Sequence, residues 1–285
     1  MPRVLIAGCG YVGQAAADLL HERKWQVEGW TASAESAGRL AAKPYAVRAL
    51  DFTNSSAVSA VRENFDVIIQ CGSTRGGDAP EYRRTYLEGA RNLLRAFPGT
   101  RLIFSSSTSV YAQRQGEMVD ETSPATPAHE KGLILREAEE IVLSRNGIVA
   151  RLGGIYGPGR SFLLRKVLAG GGVLQKERDR FINQAHRDDI ASGLVFLAER
   201  KEDLGGEIYN LVDDQPILLG EACRWLSARL PRLSPTGEVA LGRKRGESNK
   251  RVSNKKLRAL GWELRYPNLA VAMTESVLPS FGFGR

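Results

Sequence analysis

The sequence predicts an α/β protein built on a doubly wound parallel sheet, and two observations support that prediction. Short apolar stretches alternate with amphipathic helical stretches through the first half of the chain, as expected when helices cover both faces of a parallel sheet. The first apolar stretch, Arg3–Ala7, leads directly into Gly8-Cys9-Gly10-Tyr11-Val12-Gly13 and then into helical spacing at 14–23. A GxGxxG turn between a strand and a helix is typical of nucleotide binding.

This glycine loop predicts the phosphate-binding part of a dinucleotide site. The first glycine permits a tight turn, the second leaves room for the pyrophosphate, and the third lets the helix pack close to the strand. The N–H groups of the first helical turn and the helix dipole attract phosphate. The alternative is a glycine-rich turn in another α/β fold. The residues predicted to contact the cofactor here are Gly8, Gly10, Tyr11, Val12 and Gly13.

The remaining elements follow from short apolar runs separated by helical spacing. Strands are predicted at 25–30, 46–50, 66–70, 101–104 and 148–151. Helices are predicted at 35–41, 55–64, 80–96 and 129–145. Beyond residue 152 the pattern breaks into glycine-rich turns and short elements. We therefore expect a nucleotide-binding domain at 1–152, which also receives later strands, and a smaller, interleaved substrate-binding lobe at 153–285.

The carboxyl ends of the predicted strands mark the rest of the cofactor site, because parallel sheets bind ligands there. The second strand ends in Thr31-Ala32-Ser33-Ala34, without the acid that would bind the ribose of NAD and repel a 2′-phosphate. Two hydroxyls, with Arg39 one helical turn later, favour NADP, and NAD is the alternative. The further residues predicted to contact the cofactor are Thr31, Ser33, Asp51, Phe52, Cys71, Gly72, Ser73 and Ser105.

Composition limits the classes of function. The 285 residues suffice for one large or two closely packed domains. No apolar run approaches the ~20 residues of a membrane span, and the first residues do not resemble a signal peptide. Cys9, Cys71 and Cys223 have neither disulfide-framework nor metal-site spacing. These features predict a cytoplasmic protein without a metal.

The net charge of +8 is concentrated near the C-terminus. The segment Arg243–Arg258 contains many Lys and Arg residues and one acid, Glu247. It could serve as a nucleic-acid patch, as the wall of a pocket for an anionic substrate, or as a solvated loop and helix. It carries no interleaved aromatic residues on which bases would stack, and this disfavours nucleic acid.

Several later motifs follow the glycine loop along the chain. They are Phe104-Ser105-Ser106-Ser107-Thr108-Ser109-Val110-Tyr111, Arg151-Leu152-Gly153-Gly154-Ile155-Tyr156-Gly157-Pro158-Gly159-Arg160, Ile182-Asn183-Gln184-Ala185-His186-Arg187-Asp188-Asp189-Ile190-Ala191 and Glu207-Ile208-Tyr209-Asn210-Leu211. They resemble, in the same order, the motifs of the extended short-chain dehydrogenase/reductases, the NAD-dependent epimerase/dehydratase family. The resemblance implies a Rossmann-type sheet with a small C-terminal substrate lobe, an adenine contact at Asp51 with backbone contacts from Phe52, and a mainly structural His186.

The family's proton-transfer pair, Tyr-x-x-x-Lys, is missing from this chain. No tyrosine is followed by lysine four residues later. The pairing matters because a free tyrosine titrates near ~10, and a neighbouring lysine lowers that pKa. On the corresponding helix, Lys131 and Leu135 occupy the two positions in the preferred register, and His129 and Leu133 in the other. The resemblance therefore implies an atypical member.

Four residues are candidates for the chemistry. Ser107 matches the family's serine that hydrogen-bonds the substrate oxygen; alternatively, it satisfies backbone groups at a strand end. His129, which would titrate near ~6.5 if unperturbed, is a substitute acid or base, or else a solvent-facing residue at a helix start. Lys131 is the other substitute. Tyr156 is a further proton donor, or an element of turn and packing.

Two functions remain open. One is an NAD(P)-dependent oxidoreductase or epimerase acting on a small sugar-like or anionic molecule. The other is a redox-silent NAD(P)-binding sensor or regulatory protein. For the substrate we expect contacts from Arg160, Asn183, Lys250 and Arg251. We expect a small-molecule partner, neither nucleic acid nor membrane, and a monomer or homodimer.

Overall fold

The computed structural model describes residues 1–74, 76–170, 179–230 and 248–283. The strands, in chain order, are β1 (Arg3–Ala7), β2 (Gln26–Thr31), β3 (Ala46–Ala49), β4 (Val67–Gln70), β5 (Arg101–Ser107), β6 (Glu117–Val119), β7 (Ile148–Leu152), β8 (Gly154–Tyr156), β9 (Phe181–Ile182), β10 (Gln184–His186), β11 (Ile208–Leu211), β12 (Ile217–Leu218) and β13 (Lys250–Val252).

In the described residues most helices are α-helical, with two π-helical segments, Arg83–Glu88 and Met273–Val277, and a 3₁₀ turn at Thr108–Val110. The α-helices are α1 (Tyr11–Glu22), α2 (Ala34–Gly38), α3 (Ser55–Ser59), α4 (Ala79–Tyr82), α5 (Gly89–Ala96), α6 (Glu130–Leu143), α7 (Phe162–Leu168), α8 (Arg187–Glu199), α9 (Leu219–Ser227), α10 (Lys255–Ala259), α11 (Leu269–Ala272) and α12 (Leu278–Ser280). Within the described ranges, none of these helices combines the length and hydropathy needed to cross a bilayer.

A seven-stranded parallel sheet organises the chain, in the order β11-β7-β5-β4-β1-β2-β3. β1 is central: Val4 pairs with Val27 of β2 on one side and with Val67 of β4 on the other. The chain moves outward from β1 to β3 and then returns to β4 on the opposite side of β1. This reversal creates a crevice at the carboxyl ends of β1 and β4, where such sheets bind ligands. The predicted α/β Rossmann-type sheet is confirmed.

Some predicted elements differ from those observed. The helix predicted at 55–64 ends at Ser59, and Glu63 instead forms an ion pair with Arg48 of β3. β5 continues through Ser107 because Ser105 and Ser106 are buried within the strand. The expectation of only short elements beyond residue 152 is wrong for α8. That helix has 13 residues and a buried apolar side, including Ile190, Leu194, Val195 and Leu197.

The described residues divide into two compact units that are interleaved along the chain. Unit 1 comprises residues 1–110, 125–151 and 190–209, and unit 2 comprises 111–124, 152–189 and 210–285. Unit 1 has its core around the central strands, where Val4, Leu5, Ile6 and Ile69 are fully buried. Unit 2 has a core of its own, formed by side chains that include Tyr156, Leu164, Cys223, Leu226, Tyr266, Met273 and Val277.

Candidate cofactor site and active-site residues

The glycine loop after β1 makes a turn that requires glycine at its first position. Gly8 has a φ of +99°, in the left-handed region that residues with a Cβ rarely adopt. A Cβ on Gly8 would lie 2.3 Å from the backbone nitrogen of Gly72. The loop after β1 therefore packs directly against the backbone of the loop after β4.

Gly13 and Gly10 have different roles in this loop. A Cβ on Gly13 would lie 2.4 Å from the carbonyl oxygen of Gly8 and 3.0 Å from Cys71 Sγ, so Gly13 permits the close approach of α1 to the sheet. A Cβ on Gly10 would meet nothing closer than the Gly8 carbonyl oxygen, at 4.0 Å. The space beside Gly10 is open, as the approach of a pyrophosphate requires.

The first turn of α1 is prepared for an anion. Gly10 is the N-cap and has no side chain, so no side chain caps the turn. The loop itself is fixed by hydrogen bonds from Gly10 N to Gly8 O (2.7 Å) and from Cys9 N to Trp30 O (2.8 Å). First-turn N–H groups have no acceptor within their own helix, and with the helix dipole they attract phosphate. This geometry fits a dinucleotide, and the residues that would hold its pyrophosphate are Gly8, Gly10, Tyr11, Val12 and Gly13.

The end of β2 carries a small group of hydroxyls beside a guanidinium. Thr31 is buried, and its hydroxyl donates to the Ser33 carbonyl at 3.2 Å. Ser33 is exposed and caps α2 by accepting from Ser36 N, also at 3.2 Å. Arg39 Nη2 donates to Ser36 Oγ at 2.8 Å. The Ser33 hydroxyl also donates to Ser36 Oγ at 3.1 Å, and Arg39 forms an ion pair with Glu35. Ser33 and Arg39 are exposed, whereas Thr31 is buried.

Glu28, an acid within β2, is committed to the fold. Its side chain is 7% exposed, and its carboxylate accepts from Trp30 Nε1 at 2.8 Å, Arg48 Nη1 at 2.9 Å and Arg3 Nη2 at 3.1 Å. A carboxylate with three donors in a buried setting serves structure. Glu28 is therefore not the acid that binds a ribose.

Phe52 shapes the loop after β4 through its ring. A Cβ on either Gly72 or Gly89 would lie 2.4 Å from a Phe52 ring atom, so the ring fills the gap between these two glycines. Asn92 Nδ2 donates to the Phe52 carbonyl at 3.2 Å. Asp51 Oδ1 accepts from the backbone nitrogen of Thr53 at 2.9 Å. The adenine contacts predicted for Asp51 and Phe52 remain predictions.

The two cysteines near the glycine loop are packing residues. Cys71 Sγ lies 3.4 Å from the Gly8 carbonyl oxygen. A Cβ on Gly29 would lie 2.8 Å from Cys9 Sγ. Burial raises the pKa of the Cys9 thiol to about 12 and also raises the pKa of Cys71 above its ordinary value. Both thiols are protonated at neutral pH, and a protonated thiol is a poor nucleophile.

Two buried hydroxyls near the ends of β4 and β5 have unmet hydrogen-bonding capacity. Ser105 Oγ and Thr74 Oγ1 are buried and find no hydrogen-bond partner within the described ranges. Buried polar atoms usually have a partner, so these hydroxyls are suited to a bound molecule. Ser107 Oγ, in contrast, accepts from Ser109 N at 3.1 Å. Ser107 thus satisfies a backbone N–H at the strand end, which is the alternative to a catalytic role.

The start of α6 holds the two proposed substitutes for the missing pair. His129 is exposed and caps the helix, because its Nδ1 accepts from Gly132 N at 2.9 Å. Lys131 is half-buried, and its Nζ donates to the Gly77 carbonyl. The same ammonium lies 5.1 Å from the centre of the Tyr82 ring. The structure thus gives His129 the role of a helix-start residue and brings Lys131 next to a tyrosine.

Tyr156, the fourth catalytic candidate, is buried in unit 2. Its ring lies edge-on to His186, with 5.7 Å between ring centres. Its hydroxyl has no hydrogen-bond partner within the part of the chain that the structure describes. Burial raises the pKa of Tyr156, and the carboxylates of Asp213 and Asp189 raise it further. Tyr156 is therefore held as a neutral phenol, and its role as a proton donor remains a prediction.

The substrate candidates all lie in unit 2 but differ in how they are used. Arg160 is exposed and closes a tight turn through a backbone bridge to Gly157. The nitrogen and the oxygen of the Asn183 side-chain amide both form hydrogen bonds with the backbone. Nδ2 donates to Lys250 O at 2.9 Å, and Oδ1 accepts from Val252 N at 2.7 Å. Asn183 therefore ties the β9–β10 turn to β13.

Lys250 and Arg251 belong to the basic segment identified in the sequence. Lys250 is 5% exposed, and its Nζ donates to the Tyr111 carbonyl at 2.8 Å and to Ser248 Oγ at 3.0 Å. Burial, with the charge of Arg180, lowers the pKa of Lys250 to about 8. Arg251 Nε donates to the Gly116 carbonyl at 2.9 Å. The beginning of the segment, at 243–247, lies outside the described residues.

One residue with a chemically useful position was not singled out from the sequence. The phenolic oxygen of Tyr86 is hydrogen-bonded by the Ser73 side chain and by the Thr74 backbone. The only local signal was Gly89, an isolated glycine within a helical pattern, which suggests close packing or a functional constraint. Tyr86 has Ala90, and no lysine, four residues later, so it does not match the Tyr-x-x-x-Lys pattern.

Comparison with known proteins agrees with the geometry. The curated relative Protein YeeZ of Escherichia coli (strain K12) is 28% identical to this chain, and the match covers 96% of this chain and 100% of that protein. A solved Methylobacillus flagellatus structure described as an NAD-dependent epimerase/dehydratase is also 28% identical, with a TM-score of 0.78 over 95% of this chain and 96% of that one.

More distant structures share the fold. The UDP-glucose 4-epimerase of Thermus thermophilus, solved with NAD, has a TM-score of 0.75 and 18% identity, with 96% of both chains covered. The NAD dependent epimerase/dehydratase family matches residues 4–211, a span that runs from β1 to the end of β11. This chain therefore belongs to the NAD dependent epimerase/dehydratase family.

Proposed function

We propose that this protein is an NAD(P)-dependent oxidoreductase or epimerase that acts on a small sugar-like or anionic molecule without a Tyr-x-x-x-Lys pair. The observation that carries the proposal is the glycine loop. Its open side at Gly10 lies at the uncapped start of α1, and the interlocked glycines Gly8 and Gly13 hold it in place. Membership of the family supports the enzyme class. When bound, the nicotinamide would supply or accept hydride, and the protein would supply binding, orientation and proton transfer.

NADP is the proposed cofactor. The exposed Ser33 follows the end of β2 and is hydrogen-bonded to Ser36. The guanidinium of Arg39 donates a hydrogen bond to Ser36 Oγ and so lies close to the same strand end. Arginine and hydroxyl donors suit a 2′-phosphate, whereas the ribose of NAD is usually bound by a carboxylate. Glu28 cannot take that role because Arg3, Arg48 and Trp30 already bind it. NAD is the alternative, since the Thermus thermophilus epimerase of the same fold was solved with NAD.

An anionic group on the substrate is proposed to bind at Lys250 and Arg251. Lys250 is a buried ammonium whose hydrogen bonds go to neutral acceptors, a carbonyl and a hydroxyl. A buried cation is most stable with an opposite charge nearby, and a substrate carboxylate or phosphate would supply one. Asn183 holds the backbone of both neighbours of Arg251 and is proposed to position this segment. Arg160 remains a further proposed contact.

The proposal is tested by measuring hydride transfer. The purified protein is incubated with NADPH or NADH and a panel of carbonyl compounds, and oxidation of the cofactor is followed by its absorbance. We expect turnover with carbonyl compounds that carry an anionic or sugar-like group. Lys250→Met should raise KM for anionic substrates with little change for neutral ones. Failure of every compound to oxidise either cofactor would overturn the oxidoreductase proposal. An epimerase returns its hydride and consumes no cofactor, so that half of the proposal is overturned only if no sugar-like substrate is inverted either.

The identity of the proton donor is tested in the same assay. If His129 is the acid, His129→Gln should lower turnover by ~10²-fold or more. If Lys131 is the donor, Lys131→Met is the damaging change. Ser107→Ala tests the substrate hydrogen bond. We propose a small molecule as the binding partner. For the oligomeric state we propose a monomer or a homodimer.

A second candidate function is supported by the same residues. Ser107 and His129 both use their side chains for backbone hydrogen bonds, as expected if neither takes part in chemistry. A redox-silent protein that senses or regulates through bound NAD(P) would have this arrangement. Tight dinucleotide binding without hydride transfer to any carbonyl would favour it.

A further inference from the structure

The π-helical segment between α4 and α5 carries a tyrosine whose hydroxyl reaches the loop after β4. π-Helical turns are rare and often mark functional sites. Arg83–Glu88 is such a segment, and Tyr86 lies within it. The Ser73 side chain and the Thr74 backbone both hydrogen-bond the phenolic oxygen of Tyr86 in the sense that stabilises a phenolate. The loop containing Ser73 follows Gly72, which packs against Gly8 of the cofactor loop.

The surrounding structure fixes the position of Tyr86. A π-turn leaves backbone carbonyls that do not follow the α-helical bonding pattern, and Gln70 of β4 takes up one of them: its Nε2 donates to the Thr85 carbonyl at 3.1 Å. Gln70 is 2% exposed. The Tyr86 ring packs edge-on against Phe104 of β5, with 6.3 Å between ring centres and an angle of 87°. Strand side chains therefore hold both the backbone and the ring.

A second tyrosine and a lysine lie nearby. The rings of Tyr82 and Tyr86 lie 4.9 Å apart, and the ammonium of Lys131 lies 5.1 Å from the centre of the Tyr82 ring. Burial, followed by the charge of Tyr82, raises the pKa of Tyr86 to about 12, while the hydrogen bonds from Ser73 and Thr74 oppose that rise. Without a further positive charge, Tyr86 is a phenol that keeps its proton. A cation brought near it would lower its pKa.

We propose that Tyr86 is the proton-transfer residue of this protein and takes the part of the tyrosine that the missing Tyr-x-x-x-Lys pair would have supplied. The inference rests on the proposed oxidoreductase or epimerase function. Its support is geometric: Tyr86 lies on a π-helical turn whose backbone is bound by Gln70 of β4, and its ring packs against Phe104 of β5. Thr74 Oγ1 and Ser105 Oγ, the buried hydroxyls without partners in the described chain, belong to the same strand ends.

In the proposed reduction, a substrate carbonyl becomes an alcohol. The O–H bond of Tyr86 breaks and its proton goes to the carbonyl oxygen of the substrate, while the carbonyl carbon receives a hydride from the reduced nicotinamide. The products are an alcohol, the oxidised cofactor and the Tyr86 phenolate, which takes a proton from water. Ser73 and the Thr74 N–H stabilise the phenolate while it exists. Oxidation follows the reverse path, with the phenolate accepting the alcohol proton.

The test compares Tyr86→Phe with Tyr82→Phe, which removes the neighbouring hydroxyl and keeps both rings. We expect Tyr86→Phe to lower hydride transfer by ~10²-fold or more and Tyr82→Phe to leave it within a few-fold. Both variants should bind the cofactor with wild-type affinity by calorimetry, because the glycine loop is unchanged. Matching thermal unfolding midpoints would show that both variants fold.

A readout independent of turnover follows the ionisation of Tyr86 by NMR, with tyrosine labelled at the ring carbon that bears the oxygen. The Tyr86 resonance is the one absent from Tyr86→Phe. At a pH of about 10, where a free tyrosine is half ionised, we expect Tyr86 to be protonated in the protein alone. It should shift towards phenolate when the oxidised cofactor binds, because the nicotinamide ring is then positively charged.

The two proposals fail in different ways. Wild-type hydride transfer by Tyr86→Phe, or a Tyr86 resonance that does not move when the cofactor binds, would overturn the role of Tyr86 and leave the enzyme proposal standing. Absence from the wild-type protein of both hydride transfer to every carbonyl and inversion of every sugar-like substrate would overturn the proposed function and, with it, the role of Tyr86.

Discussion

The carboxylate of Glu139 and the guanidinium of Arg151 form a doubly hydrogen-bonded pair within unit 1. Arg151 Nε lies 3.0 Å from Glu139 Oε1, and Arg151 Nη2 lies 2.7 Å from Oε2. The Arg151 side chain is 2% exposed and the Glu139 side chain 0%. Ser106 of β5 donates to the same carboxylate at 2.6 Å. One buried anion thus joins α6 to β7 and β5.

Removing the charge of Glu139 should destabilise the protein. Glu139→Gln leaves the Arg151 guanidinium buried without its counter-charge, and breaking a buried ion pair in this way costs about 3–5 kcal/mol. The free energy of unfolding, measured with urea, should fall by about that amount. Glu140→Gln is the matched control, because Glu140 is adjacent on α6 and its side chain is 67% exposed. Equal stability of the two variants would contradict the prediction.

Gly10→Val should abolish dinucleotide binding while the protein remains folded. The new side chain would occupy the open space beside Gly10 that the pyrophosphate needs. Its Cβ would meet nothing closer than the Gly8 oxygen, at 4.0 Å. Loss of glycine at the N-cap of α1 costs only about 1 kcal/mol. Calorimetric titration with NADP and NAD measures the binding. Gly13→Ala is the contrasting variant: its Cβ would lie 2.4 Å from a backbone oxygen, so its unfolding free energy should fall as well.

Arg39→Met should weaken the binding of NADP and leave the binding of NAD unchanged. We expect NADP to bind about tenfold more weakly or worse, because a charge-assisted hydrogen bond to phosphate is worth about 1.5–3 kcal/mol. NAD, which lacks the 2′-phosphate, should bind as before and serves as the internal control. Thr31→Asp should shift preference towards NAD by repelling the phosphate. Equal effects of Arg39→Met on both nucleotides would show that this strand end does not contact the 2′ position.

His186 should make the protein less stable at acidic pH. The ring is 0% exposed; Nδ1 accepts from Asp188 N at 3.2 Å, and Nε2 lies 3.0 Å from Ser276 Oγ. Burial lowers the pKa of His186 from 6.5 to about 4, so the folded state binds fewer protons than the unfolded state between these values. The stabilising contribution is complete above pH 6.5 and is lost as pH falls to about 4.

The measurement is the unfolding free energy of wild type and His186→Gln across this range. The difference between them should shrink by up to about 3 kcal/mol as pH falls, since one pKa unit corresponds to about 1.4 kcal/mol. Subtraction is needed because burial raises the pKa of Asp189 to about 6, and that group acts in the opposite direction. A difference independent of pH would contradict the prediction.

The sheet was predictable because its signal is local. Each strand of the nucleotide-binding half is a short apolar run, and the glycine loop identifies the first crossover from three positions alone. Helix ends were less predictable, since Ser59 ends α3 where the pattern continues to residue 64. The length of α8 was missed because its buried residues depend on contacts that are distant in sequence.

The proposed catalytic residues were less predictable than the glycine loop that would bind the cofactor, for a physical reason. A glycine's role follows from backbone geometry that the motif itself fixes, as at Gly8 and Gly13. The position of Tyr86 depends on a π-turn, on Gln70 and on the loop at Ser73, which lie on different elements. Thr31 shows the same limit: its strand-end position was expected, but its hydroxyl is turned into a local hydrogen bond.

The interlocking of Gly8 with Gly72, described above as a backbone contact of two loops, has a thermodynamic consequence. A loop held in its binding shape before the ligand arrives loses little conformational entropy on binding. A Cβ on Gly72 would lie 2.4 Å from the Phe52 ring and would displace the backbone against which Gly8 packs. Substitutions at Gly72 should therefore weaken dinucleotide affinity through a larger unfavourable entropy of association.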